Sequence, residues 1–346
     1  MLPPNDPQSQ TQESPPSPPA RRWHYPYFLP VIGVGIVHGL MARLAFGYEP
    51  LKDVLGVMTI SFIYLVPFTI GLITVYLGEQ EQRLGWATRL TLPLLPAFLA
   101  LVAALALAWE GIICIILWLP LYLLMAALGG LVAGILRSLI DHHRNRNLTF
   151  ASLMVLPFLS APLEKQLELP QDQRIVQTYI DIQAAPEVVW QNIIRVPRFK
   201  PEEQRTSLSH LIGFPKPLEA TLSHEGIGGI RHATFEGNVL FIETITAWEP
   251  LERLTFAIKA DAESIPPTTL DQHVTVGGPY FDVLEGEYRL EKRDPETVRL
   301  HLHSIHRVST QFNLYSSLWT DFIMRDVQNH ILDIIKHRCE HTVALR

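Results

Sequence analysis

Three histidines in the last sixth of this chain, His301, His303 and His306, form its densest set of side chains whose types could do chemistry. His301 and His303 are two residues apart, so on a strand they share one face, as a metal-binding pair requires. No cysteine or carboxylate stands at ligand spacing beside them, and Arg299 and Arg307 occupy the same face, where their charge opposes a cation. No metal and no other cofactor is therefore expected. His306 has the opposite parity. At the cavity end of a strand it could serve as acid or base, or donate to a bound carbonyl, and a structural histidine fits the same place. Tyr288 and Glu243 are the other side chains a catalytic site there would recruit. The two cysteines, Cys114 in an apolar run and Cys339 near the end, sit in settings too different for a disulfide or a shared metal. The sequence has no G-x-S-x-G elbow, phosphate loop or H-E-x-x-H, and residues 226–229 are a turn with no helix behind it. No catalytic residue is assigned.

The elements that would position these groups fall into two chemically different halves. Residues 23–163 are dominated by long apolar runs, whereas residues from 174 onward alternate as a soluble sheet does. A mean hydropathy of +0.16 is the blend of the two. A net charge of −6 and the lack of a basic stripe speak against nucleic acid as a partner.

Residues 1–22 hold almost nothing that could bury surface and read as a disordered tail, without the charged start and apolar core of a signal peptide. Arg21 and Arg22 followed by Trp23, Tyr25 and Tyr27 suit a cytoplasmic flank and an interfacial aromatic belt. Apolar runs at 27–46, 54–77, 90–109 and 112–136 predict four transmembrane helices, with a shorter fifth candidate at 148–163. Basic residues before the first run, at Arg83 and Arg89, and at Arg137, Arg144 and Arg146 collect on one side, which the positive-inside rule makes the cytoplasm. The fifth run decides the side of everything after it. Its basic flank favours a crossing despite Pro157 and Pro162, which makes the soluble half extracytoplasmic in a multi-pass membrane protein. Within the first run, Arg43 reads as snorkelling and His38 as bonding a neighbouring helix, while Gly35/Gly39 and Gly130/Gly134 have the spacing of close helix packing.

After a linker at 164–173, a strand leads into AAPEVVWQNIIRV, where Pro186 and Glu187 suit a first helical turn and Val189, Trp190, Ile193 and Ile194 form an apolar stripe. Strands are predicted at 218–223, 230–236, 239–248, 253–258, 281–291 and 298–307, joined by short turns and hence antiparallel. A long helix over 313–338 closes the domain, with a broad apolar face that packs most economically across the concave side of a curved sheet.

This order, with APEVVW opening a helix, WEPLERLTF and GEYRLEK on strands and a long terminal helix, resembles the START/polyketide-cyclase (SRPBCC) superfamily over residues 174–341. The resemblance implies a helix-grip fold with a cavity between sheet and helix that holds lipids, sterols, polyketides or hormones, and only some members are enzymes. Strand parity and the helix face give the cavity candidates Trp190, Phe256, Leu284, Tyr288, Leu302, Ser304, His306, Tyr315, Trp319 and Phe322. The expected protein is thus a membrane-anchored binder of a hydrophobic or amphipathic small molecule, such as a lipid from the adjacent bilayer. Two alternatives stay open: a cyclase or hydrolase using the same cavity, and a regulatory module that engages a protein.

Overall fold

A computed structural model describes residues 25–80, 83–140, 146–204, 206–266, 270 and 273–344. The expected tail at 1–22, Trp23 and the basic Arg144 lie outside these. The apolar half forms α1 (Tyr25–Phe46), a π-helical turn (Ser61–Leu65) leading into α2 (Val66–Gly78), α3 (Trp86–Thr91), α4 (Leu94–Ala106), α5 (Ile112–Ile140) and α6 (Arg146–Glu164). Four stretches, Leu29–Phe46, Ser61–Gly78, Trp86–Ala106 and Ile112–Leu139, are long and apolar enough to cross a membrane.

The second stretch starts seven residues later than the periodicity predicts, because residues 47–60 turn back over the end of α1 through a short 3₁₀ turn, Glu49–Leu51. Its π-turn has a local cause. Pro67 has no N–H to give to the Ile63 carbonyl four residues back, and that carbonyl instead accepts the Trp118 indole N–H at 3.2 Å. His38 bonds the Thr69 hydroxyl at 2.9 Å, as expected. Arg43 does not snorkel: its guanidinium bonds the Glu110 carboxylate at 2.5 Å in the turn between α4 and α5.

These contacts order the two ends of the bundle. At one end Glu79, buried at the close of α2, is clasped by Arg89 at 2.7 Å and Arg137 at 3.7 Å. The other end holds the Arg43–Glu110 pair and Glu164, whose carboxylate accepts the Ser61 N–H and hydroxyl at 2.9 Å each and also the Ile60 N–H. Helix α6 packs Leu153 beside Val75 and Tyr76 and ends on Ser61, so it runs the length of α2. The sheet domain follows at the Glu164 end.

That domain is one antiparallel sheet of seven strands, in the order β1-β7-β6-β5-β4-β3-β2. Its strands are β1 (Asp172–Ile182), β2 (Pro217–Leu222), β3 (Ile230–Phe235), β4 (Leu240–Glu249), β5 (Arg253–Ala260), β6 (Phe281–Asp294) and β7 (Thr297–Val308). Helices α7 (Pro186–Ile194) and α8 (Leu208–Ile212) carry the chain between the sheet's two edges, and α9 (Asn313–Ala344) lies against β1 and β7. Helix α9 runs six residues beyond the expected end at 338. The predicted parity of β7 holds along its length: Val298, Leu300, Leu302, Ser304, His306 and Val308 are buried, and the residues between them are half-buried. Ile182, Val189, Ile193, Leu254, Leu300, Leu332 and Ile335 make the core between sheet, α7 and α9.

One packed histidine makes this domain sensitive to acid. His330 on α9 meets the His210 ring edge-on at 4.6 Å and is 5% exposed. Burial lowers its pKa to about 4, His210 and Lys216 add to that, and only Asp326 opposes it. The unfolded chain takes up this proton near pH 6.5, so its contribution to stability is full above 6.5 and is lost progressively as pH falls to about 4. We expect His330 to account for a loss of up to about 3 kcal/mol over that window, so that His330→Leu loses correspondingly less than the parent, as read by chemical unfolding at stepped pH.

Candidate functional site: two adjoining cavities

Between the sheet and α9 lies a half-open inner cavity of about 180 Å³, many times the roughly 15 Å³ that one water needs. Its walls are mostly apolar and aromatic: Phe241, Phe256, Ile258, Val283 and Leu302 from the strands, and Ile323, Met324, Val327 and Ile331 from α9. Gly286 makes room for the Phe256 ring, since an added Cβ would sit 2.5 Å from a ring carbon. Gln328 closes one side of the wall. Its amide accepts from Thr178 at 2.9 Å and donates to Ser304 at 2.8 Å and to the Val176 carbonyl at 3.2 Å, so α9 is bolted to β1 and β7.

A polar cluster interrupts the apolar wall. Arg231 on β3 and Glu243 on β4 are direct cross-strand partners and form a buried ion pair, 4% and 5% exposed. The Arg231 guanidinium lies 5.4 Å over the Phe256 ring and beside the Tyr288 hydroxyl. Burial pushes the Glu243 carboxyl up, against the pull of Arg231, and also pushes the Tyr288 phenol up. Arg231 keeps its charge. One donor on this wall, Arg231 Nε, is buried without a hydrogen-bond partner.

A second cavity, of about 150 Å³, lies where the domain meets the helical bundle. Val57, Met58, Phe62, Cys114 and Trp118 of the bundle face Tyr280, Val308, Phe312, Tyr315 and Trp319 of the domain across it. Pro120 lies within α5 here, and about one turn earlier the Leu117 carbonyl accepts the Tyr315 hydroxyl at 2.6 Å. The Phe312 and Tyr64 rings meet at 6.4 Å. Glu110, Cys114 and His273 offer donor atoms within 4.8 Å of one another, the one metal-compatible group found among the described residues. The Arg43 guanidinium on Glu110 already supplies that carboxylate with a positive charge. Neither the sequence spacing of the histidines nor that of the cysteines pointed to this group.

Of the ten expected lining residues, Phe256, Tyr288, Leu302 and Ser304 line the inner cavity, and Tyr315 and Trp319 line the junctional one. Trp190 packs edge-on against Trp248 at 5.3 Å in the core beneath α7. Leu284 misses the wall because it is the extra residue of a bulge in β6, which hands the inward position to Val283. Phe322 is 39% exposed on the outer side of α9, edge-on to Trp319. His306 is fully buried but lines neither cavity. Its Nε2 faces the Thr320 hydroxyl at 3.3 Å and the Asp321 carboxylate at 3.4 Å, which Arg174 holds with two bonds of 2.8 and 2.6 Å. Burial lowers its pKa despite Asp321. His301 points its Nε2 at Glu291 at 3.0 Å on the sheet's other face.

Arg231 did not stand out in the sequence. The available signal was parity: Arg231 alternates with Ala233 and Phe235, and Glu243 with Phe241 and Ile245, so each charge stands on an apolar face.

The C-terminal half is a helix-grip domain: a curved antiparallel sheet with a long C-terminal helix across it, joined to a bundle of apolar helices. No protein-family model and no curated protein matches this chain. Among solved structures it is similar to the Zhui aromatase/cyclase of Streptomyces sp. R1128, at 14% identity and TM-score 0.33, over 50% of this chain and 96% of that one. A START-superfamily protein of Mycobacterium smegmatis is similar at 10% identity and TM-score 0.33, over 49% and 98%. Norcoclaurine synthase of Thalictrum flavum is similar at 13% identity and TM-score 0.30, over 51% and 88%.

Proposed function

We propose that this chain is a membrane-anchored binding protein whose helix-grip domain holds an apolar molecule carrying one hydrogen-bond acceptor. The observation that carries this reading is the unpartnered donor Arg231 Nε, buried in an otherwise mostly apolar wall. Glu243 balances the charge of Arg231, so the fitting group is a neutral acceptor such as a carbonyl, ester or hydroxyl rather than a second anion. The four apolar stretches are the anchor, with α6 completing a fifth pass. Arg89 and Arg137 mark the opposite end of the bundle from the domain, and the positive-inside rule then sets the domain outside the cytoplasm.

The test is native mass spectrometry of the full chain released from detergent micelles, titrated with 2-undecanone and with undecane. We expect saturable binding of the ketone, at least roughly tenfold tighter than the hydrocarbon, the worth of one hydrogen bond to a charged donor. Equal affinities, or no saturable binding of either, would overturn the reading.

A second reading is a cyclase or hydrolase acting in the same cavity. It is favoured by the meeting of Tyr288 and Glu243 at Arg231, since both groups are pushed toward their protonated, proton-donating forms. Recovery of the bound molecule in a chemically altered form, abolished in Tyr288→Phe, would select it.

A further inference from the structure

We infer that the junctional cavity is the entrance through which a lipid-like molecule passes from between the membrane helices into the inner cavity. This rests on the binding function proposed above. The two cavities share three lining residues, Phe214, Phe281 and Ile323, so these side chains stand between them. On the bundle side the entrance is walled by Val57, Met58, Phe62 and Trp118, which suits an apolar body leaving hydrocarbon. Its polar corner is already neutralised, because Glu110 is paired with Arg43. Beyond the partition lies an unpartnered donor, Arg231 Nε. A molecule moving inward thus stays in apolar surroundings until its acceptor reaches the one place that rewards it.

Two further features belong to such a route. The Tyr315 bond to the Leu117 carbonyl and the Phe312–Tyr64 contact hold the domain on the bundle, so the chamber stays formed. Beside it, α9 presents Leu314, Leu318 and Phe322 at four-residue steps, 88%, 67% and 39% exposed. That stripe flanks the helix face that lines the chamber, and it is suited to lie in the surface of a bilayer rather than in water.

Cys114 allows the entrance to be plugged reversibly. It stands in the chamber wall, whereas Cys339 is fully buried with its thiol pushed up to about 12. The experiment follows uptake of radiolabelled 2-undecanone by the full chain in nanodiscs, before and after benzyl methanethiosulfonate forms a mixed disulfide with Cys114, verified by mass. We expect uptake to slow at least tenfold, to recover on reduction, and to be indifferent to the reagent in Cys114→Ser. Met58→Trp fills the same chamber from the bundle and must slow uptake likewise. Uptake unchanged by a verified plug, or by Met58→Trp, overturns the entrance while leaving the binding function intact. Absence of ketone binding in the untreated protein overturns the binding function itself.

Discussion

Arg231→Met will cost the folded domain about 3–5 kcal/mol, because it strands the Glu243 carboxylate in an apolar wall with its counter-charge gone. Chemical unfolding of the full chain, followed by tryptophan fluorescence, measures this. The informative comparison is the double variant Arg231→Met/Glu243→Leu. Removing both charges restores an apolar wall of similar volume, and stability should return to the parent value or exceed it by about 1–4 kcal/mol. The double variant should nevertheless lose the tenfold preference for 2-undecanone over undecane. Stability and recognition then separate: the ion pair is retained for what it binds. A double variant that stays unstable would assign the pair to the fold instead, and one that keeps the preference would rule Arg231 out as the recognising donor.

Gly129→Val should be the most damaging single change in the bundle, costing about 3 kcal/mol or more. A Cβ at Gly129 would fall on the Phe68 carbonyl, and one at Gly71 on the Ala126 carbonyl, so α2 and α5 touch backbone to backbone at two points less than one turn apart. Backbone cannot rotate aside as a side chain can. The pair must separate, and with it goes the wall that carries Trp118 and Cys114. Gly33→Val in α1, where an added Cβ meets nothing within 4 Å, is the matched control and should be neutral. Thermal unfolding in detergent, read by loss of monodisperse elution, distinguishes the two variants.

The outline of both halves was legible because it rests on period and length. Apolar runs of helical length marked the spans, and unbroken alternation marked β7. Register and close approach were not legible. The bulge at Leu284 shifts a wall position by one residue with no glycine or proline to announce it. The pairing of Arg231 with Glu243 depends on how β3 and β4 align, which alternation alone leaves free. Gly130 and Gly134 read correctly as packing positions, against Arg89, but the tighter pair, Gly71 and Gly129, lacks that spacing on one helix because the contact is between two. Tyr315 illustrates the deepest limit. Its place on the apolar face of α9 predicts a cavity wall, yet which cavity depends on a carbonyl nearly 200 positions earlier, in a helix of the other half.

The carboxylate of Glu164 also sets an order on biogenesis. The amide groups of Ile60 and Ser61 that open the second span wait for a cap that the ribosome adds more than 100 residues later. Until Glu164 has been made, those groups must take another partner such as water, so the start of the second span reaches its final contacts only when α6 packs on it. The sheet domain, whose first strand begins eight residues after that cap, follows it directly in the order of synthesis.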